Sequence, residues 1–211
     1  MRNFIAGIIV FFGGFAIMVL EIIGARFLAR FFGSSFYVWI SQIGVILIAL
    51  SIGYYIGGWF ADYFKRAFFL ALLLIPAGIY TFTVPYFAPT VMDAIVLRHP
   101  EDMDIPMIWQ KIDPAIGSAV FFLLPCFVLA MISPYMIRLA SMHLSHVGRI
   151  SGLVYAFSTV GSIAGVFISG YILMDHMGIS SIIHSTGVLT IVLGLFCFLA
   201  DSLFKAHEMD N

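Results

Sequence analysis

Charge is what this sequence has least of. Only 10% of its 211 residues are Asp, Glu, Lys or Arg, against about a quarter in an ordinary soluble domain. The formal net charge is −1, so no excess of positive charge is on offer to nucleic acid. Cysteine is scarce as well. Cys126 and Cys197 stand alone in apolar runs, without a C-x-x-C pair or a His/Cys cluster, which excludes a disulfide framework. No G-x-G-x-x-G follows a strand-like segment, so a dinucleotide-binding unit is not written here. Period-two alternation, the mark of barrel strands, is also missing.

What fills the space is oil. Hydrophobic residues make up 62% of the chain and its mean hydropathy is +1.08, more than a core of this size can absorb. The excess must face lipid. A bilayer core of about 30 Å takes about 20 apolar residues in a helix. Six continuous runs qualify: 4–25, 37–60, 68–88, 115–137, 152–173 and 179–200. The expectation is an all-α, polytopic bundle forming one transmembrane domain over residues 1–211. Met1-Arg2-Asn3 precedes the first run, which is too long for a signal-peptide core and lacks a small-residue cleavage site, so a retained helix is expected. Pro76 and Pro85 in the third run, and Pro125 and Pro134 in the fourth, are expected to kink those helices or mark their ends.

Connections are short except 89–114, which carries five acids against two bases and reads as an acidic cap, with Trp109 at the interface. With both termini cytoplasmic, Arg2, Lys65, Arg66, Arg138, Arg149 and Lys205 lie inside, against Arg26, Arg30, Arg98 and Lys111 outside. The positive-inside rule favours that orientation, in a bacterial inner membrane. Small and polar residues mark faces that meet other helices: Gly7, Gly14 and Glu21; then Ser41, Gly44, Ser51, Tyr55 and Gly58; then Tyr155, Ser158, Ser162, Gly165 and Ser169. Gly53/Gly57 and Gly161/Gly165 form G-x-x-x-G pairs. These stripes put the first, second and fifth helices at the centre.

An ionisable group inside a membrane helix is costly unless paired or wet. Glu21 lies roughly 25 Å along the first helix, on its glycine-marked face. Arg26 is about 140° around that helix, so pairing requires a bend, which Gly24 offers. Arg30 follows one turn after Arg26. An inward acid beside two guanidinium groups suits a substrate clamp, a proton-linked gate or a lock between helix ends. Tyr54, Tyr55 and Tyr155 add aromatic faces for a cation. His143 and His146 are spaced one helical turn apart with no third ligand in view, so no metal and no cofactor is expected. His184 reads as a hydrogen-bonded packing residue rather than a proton relay.

Gly58-Trp-Phe-Ala-Asp62-Tyr-Phe-Lys65-Arg66 resembles the G-x-x-x-D loop between the second and third helices of major facilitator transporters, with Tyr63 where a basic residue is usual. Leu20-Glu21-Ile-Ile-Gly-Ala-Arg26 through Phe32-Gly33-Ser-Ser35 and Trp39 adds a second piece. Ser133-Pro134-Tyr-Met-Ile-Arg138 and Gly148-Arg149-Ile-Ser-Gly152 through Gly165 complete the set. In this order they cover roughly half the chain and resemble the membrane domain of spermidine synthase-like membrane proteins. The resemblance implies a six-helix, transporter-half-like fold preceding a soluble aminopropyltransferase-like domain. With the sixth run followed closely by Asn211, that soluble domain is expected to be missing from this chain. Its catalytic residues therefore find no match.

The leading expectation is a membrane subunit that recruits a separate soluble aminopropyltransferase-like partner or handles its substrate or product. Asp62, Lys65, Arg66, Arg138 and Arg149 would serve docking or gating. Glu21 and the tyrosines would meet a polyamine, which Arg26 and Arg30 would repel. Two alternatives stand beside it: a transporter half that dimerises to move a charged solute, and a structural subunit of a larger membrane complex.

Overall fold

The computed structural model describes residues 2–99, 105–141 and 147–205. Six helices long and apolar enough to cross a membrane account for nearly all of them, with no strand among the described residues. They are α1 (Arg2–Phe32), α2 (Phe36–Phe64), α3 (Ala67–Val96), α4 (Met107–Ala140), α5 (Val147–His176) and α6 (Ile179–Lys205). The number and order match the expected spans, but most are longer. A helix outruns the oil because its polar ends continue through the interface. The long acidic connection shrinks accordingly to 97–106, with Asp93 inside α3 and Lys111 and Asp113 inside α4.

Local chemistry sets the ends. Gly33, at φ 77°, turns the chain out of α1 in a left-handed conformation that favours glycine. The Ser35 hydroxyl then accepts the Val38 N–H at 3.4 Å and caps α2. At the other end of α2, Lys65 takes a left-handed φ of 41°. The prolines act unequally. α3 runs unbroken through Pro76, Pro85 and Pro89, so the expected end near residue 88 is corrected to Val96. α4 is interrupted: a π segment, Ala119–Leu123, precedes Pro125, and a tight turn at Met131 precedes Pro134. The Val120 carbonyl in that π segment accepts the Tyr80 hydroxyl from α3. α5 carries a second π segment, Ser169–Leu173.

Lipid is as apolar as leucine, so helices in it associate through close packing rather than the hydrophobic effect. Both G-x-x-x-G pairs supply that packing. A Cβ at Gly53 would meet the Phe127 carbonyl at 2.5 Å, and one at Gly57 would meet Met131 at 2.7 Å, which places α2 tightly along α4. Gly161 and Gly165 lie against the Phe11 and Phe15 carbonyls of α1. Gly78 of α3 faces Gly187 of α6, each 2.8 Å from where the other's Cβ would meet a carbonyl. The main pairs are thus α1 with α5, α2 with α4, and α3 with α6. This set is unchanged when the first three helices are exchanged for the last three.

The centre differs from expectation. α4 and α1 are the most covered helices, at 61% and 56% of their apolar windows, whereas α5 is covered over only 17%. α5 reaches α1 through its glycines and leaves its other faces open. α2 behaves alike. Gln42, Ile46, Ala49, Gly53, Gly57 and Ala61 form its packed face, whereas Ser51 and Tyr55 of the expected stripe are exposed and Gly44 has nothing near it.

Candidate functional site: a carboxylate and an open tyrosine face

Glu21 stands about two-thirds of the way along α1, one heptad beyond Gly14, whose surface is filled by Ser158 and Ser162 of α5. Its side chain is partly buried and comes within electrostatic reach of the Cys126 thiol on α4. Among the described residues it makes no ion pair and no hydrogen bond. α1 is helical through Gly24, and Glu21 and Arg26 form no ion pair. Arg26 and Arg30 lie within the same helix, both exposed and both without an acidic partner among the described residues.

Gly24 has another role. The Gln42 side chain of α2 occupies the space a Cβ there would need, with Phe122 beside it at 3.1 Å. Gln42 Nε2 donates to the Leu20 carbonyl at 3.2 Å, and its Oε1 accepts the Ser118 hydroxyl at 2.7 Å. Fully buried, this amide ties α1, α2 and α4 together one residue from Glu21. Sequence reasoning passed over it. The signal was there: Gln42 is the only Gln or Asn in the interior of any apolar run, and buried amides in membrane helices are hydrogen-bonded across helices.

Tyr54 and Tyr155 face one another across the gap between α2 and α5 closely enough to interact electrostatically. They are 44% and 57% exposed, and Tyr55 is 81% exposed. The Tyr54 and Tyr155 hydroxyls have no hydrogen-bond partner among the described residues, and an unpaired hydroxyl is costly in hydrocarbon. Ser158 and Ser162 turn away from them. They pack on Gly14, with the Ser162 hydroxyl 3.4 Å from the Gly14 carbonyl. Gly161 and Gly165 lie against Phe11 and Phe15, which puts Tyr155 near the start of α1 and Glu21 roughly 20 Å further along it. The structure therefore brings Tyr54 and Tyr155 together but not Glu21, and assigns the two serines to the α1–α5 seam.

The basic residues at the termini end are mostly engaged. Arg138 Nε donates to Asp62 at 2.7 Å, joining α4 to α2. Arg66 donates to Asp201 through Nη2 at 2.7 Å and Nε at 3.2 Å. Asp201 also accepts the Phe68 N–H at 3.1 Å, capping α3 from the end of α6, while the Tyr135 hydroxyl donates to the Arg66 carbonyl at 3.0 Å. This carboxylate holds the Arg66 guanidinium above its ordinary pKa, by hydrogen bond first and charge second. Lys65 and Arg149 are exposed, with no acid partner among the described residues.

At the opposite end, Asp113 is buried and doubly held. Arg98 donates to its Oδ1, and His99 Nε2 lies 2.7 Å from Oδ2. The Arg98 guanidinium also stacks 4.3 Å from the Trp109 ring centroid. Read in the sequence as part of an acidic cap, these residues tie the turn after α3 to the start of α4. Their signal was the mixture of signs flanking Pro106 and Pro114. His184 packs between Phe82 and Tyr86, at 4.8 and 5.1 Å, but its buried Nε2 has no hydrogen-bond partner, so the expected hydrogen bond is absent among the described residues. Among the described residues no three His, Cys, Asp or Glu groups cluster to hold a metal; His143 and His146 fall outside them. No family model, curated protein or solved structure matches the chain.

Proposed function

We propose that this chain is an integral membrane subunit that handles a small charged solute, in the manner the spermidine synthase-like resemblance implies. The solute, of the polyamine class, would be held at Glu21, with the open face of Tyr54, Tyr55 and Tyr155 lying nearer the termini side. A separate soluble aminopropyltransferase-like partner would supply or consume it on the termini side, which we take as cytoplasmic. One observation carries this reading: Glu21 is a carboxylate within a membrane-spanning helix with no ion pair or hydrogen bond among the described residues. Such an acid is expensive to keep without a function, and a carboxylate is what an organic cation binds. Because Arg66 and Arg138 are already held by Asp201 and Asp62, docking of a soluble partner would rest on Lys65 and Arg149.

The test uses the full chain in liposomes with labelled spermidine. Saturable binding or uptake that falls about tenfold in Glu21→Gln, the loss of roughly 1.4 kcal/mol, supports the proposal. Equal retention by both proteins removes the carboxylate from it. Lysate proteins held by the wild type in mild detergent and lost on charge reversal at Lys65 and Arg149 identify the partner arm.

A second reading is favoured by the helix pairing. The exchange of α1–α3 for α4–α6 that leaves the pairs unchanged suits a transporter half built from two three-helix units, as in major facilitator transporters. Two copies would then close a cavity over the tyrosine face. A stable homodimer moving solute without any soluble partner would favour this reading.

A further inference from the structure

The end of the bundle opposite the termini holds a cavity of about 380 Å³ that the Glu21 face does not share. It opens between the last turn of α1 (Phe31, Phe32), the end of α3 (Val96), the turn after it (His99) and the start of α4 (Trp109, Gln110, Asp113). Glu21 lies ten residues earlier on α1, roughly 15 Å away. The size is within the ordinary range for a small-molecule site, and so is the mixture of aromatic walls with a few convergent polar groups.

The carboxylate in this cavity is the informative part. Asp113 retains only 4% of its side-chain exposure, yet it lines the cavity. Its present counter-ion, Arg98, is itself 35% exposed and stacks on Trp109, which lines the cavity as well. A buried carboxylate beside an aromatic face is the chemistry that receives a guanidinium or ammonium group. Arg98 fills that role from within the chain. Being attached by a side chain that reaches solvent, it is replaceable by a like group at little net cost, whereas an unpaired Asp113 would not be tolerated.

We infer that the cavity at Asp113 and Trp109 is a binding site for a small guanidinium or primary-amine compound, with Arg98 as its tethered stand-in. The incoming cation takes Asp113 Oδ1 and the Trp109 face, Arg98 swings to solvent, and His99 stays on Oδ2. Apparent affinity is reduced by the fraction of time Arg98 occupies the site. Removing Arg98 therefore strengthens binding, the opposite of what a purely structural ion pair would give.

The experiment is calorimetric titration of the detergent-solubilised full chain with n-butylguanidine, using n-butylurea as the neutral isostere. Expected are weak binding of butylguanidine by the wild type, binding about tenfold tighter in Arg98→Gln, loss of binding in Asp113→Asn, and no binding of butylurea. Arg98→Gln binding no tighter than wild type, or Asp113→Asn binding equally well, overturns the inference. Should the ion-pair variants lose their helical circular dichroism, Trp109→Leu leaves the pair intact and decides alone. Weakened binding supports the site, and unchanged binding overturns it.

Discussion

At Glu21 a carboxylate sits part-buried in the membrane with no basic side chain in ion-pair range among the described residues. Holding a charge near a bilayer centre costs at least about 2.5–3.5 kcal/mol. Glu21→Gln is therefore expected to leave the thermal midpoint in detergent unchanged or higher, while weakening solute retention. Gln42 is the opposite case, since both ends of its amide are satisfied. Gln42→Leu strands the Ser118 hydroxyl and should lower stability by about 1 kcal/mol. Adding Ser118→Ala should recover part of that loss, which denaturant titration of the three variants will read. The two residues were unequally legible. A lone acid in oil announces itself, whereas an amide between apolar neighbours is noticed only once its partners on α1 and α4 are known.

The helices as elements were read well in number and poorly in extent. Hydropathy locates the oil, and the six runs became six helices. It says nothing about how far a helix continues beyond it, so Arg26 and Arg30 were placed past the end of α1. The G-x-x-x-G pairs were legible because close backbone approach admits only small residues. The polar stripe of α2 misled, because Ser and Tyr mark an open wet face as readily as a packed one. Two tests belong at this scale. Gly161→Val drives a side chain into the Phe11 carbonyl and should release α5 from α1. A Cβ at Gly7 would lie 3.3 Å from the Phe157 ring, so Gly7→Cys should be shielded from thiol reagents in the parent and reactive in Gly161→Val. Asp201→Ala removes the α3 cap and the Arg66 fork together. The cap alone is worth about 1 kcal/mol, so a lower thermal midpoint is expected with the six helices retained.

For the whole molecule, apolar side chains are exposed on every outer helix, and one side exposes a serine and tyrosines as well. α3 and α6 pack on each other behind the covered pair α1 and α4, while α2 and α5 leave Ser51, Tyr54, Tyr55 and Tyr155 uncovered. No sequence pattern distinguishes that side from a lipid-facing one, since both are exposed in a single chain. The account holds that it is wet in the membrane. Cys126 and Cys197 are both fully buried, so the native thiols make a silent background. The direct measurement is the rate at which a charged thiol reagent modifies single cysteines in native membranes. Ser51→Cys and Tyr155→Cys stand on the tyrosine side, with Ile79→Cys and Val192→Cys on α3 and α6 as exposed controls. Rapid modification at 51 and 155, with protection at 79 and 192, is the predicted result. Equal protection at all four positions would make the tyrosine face a lipid-facing surface and contradict the account.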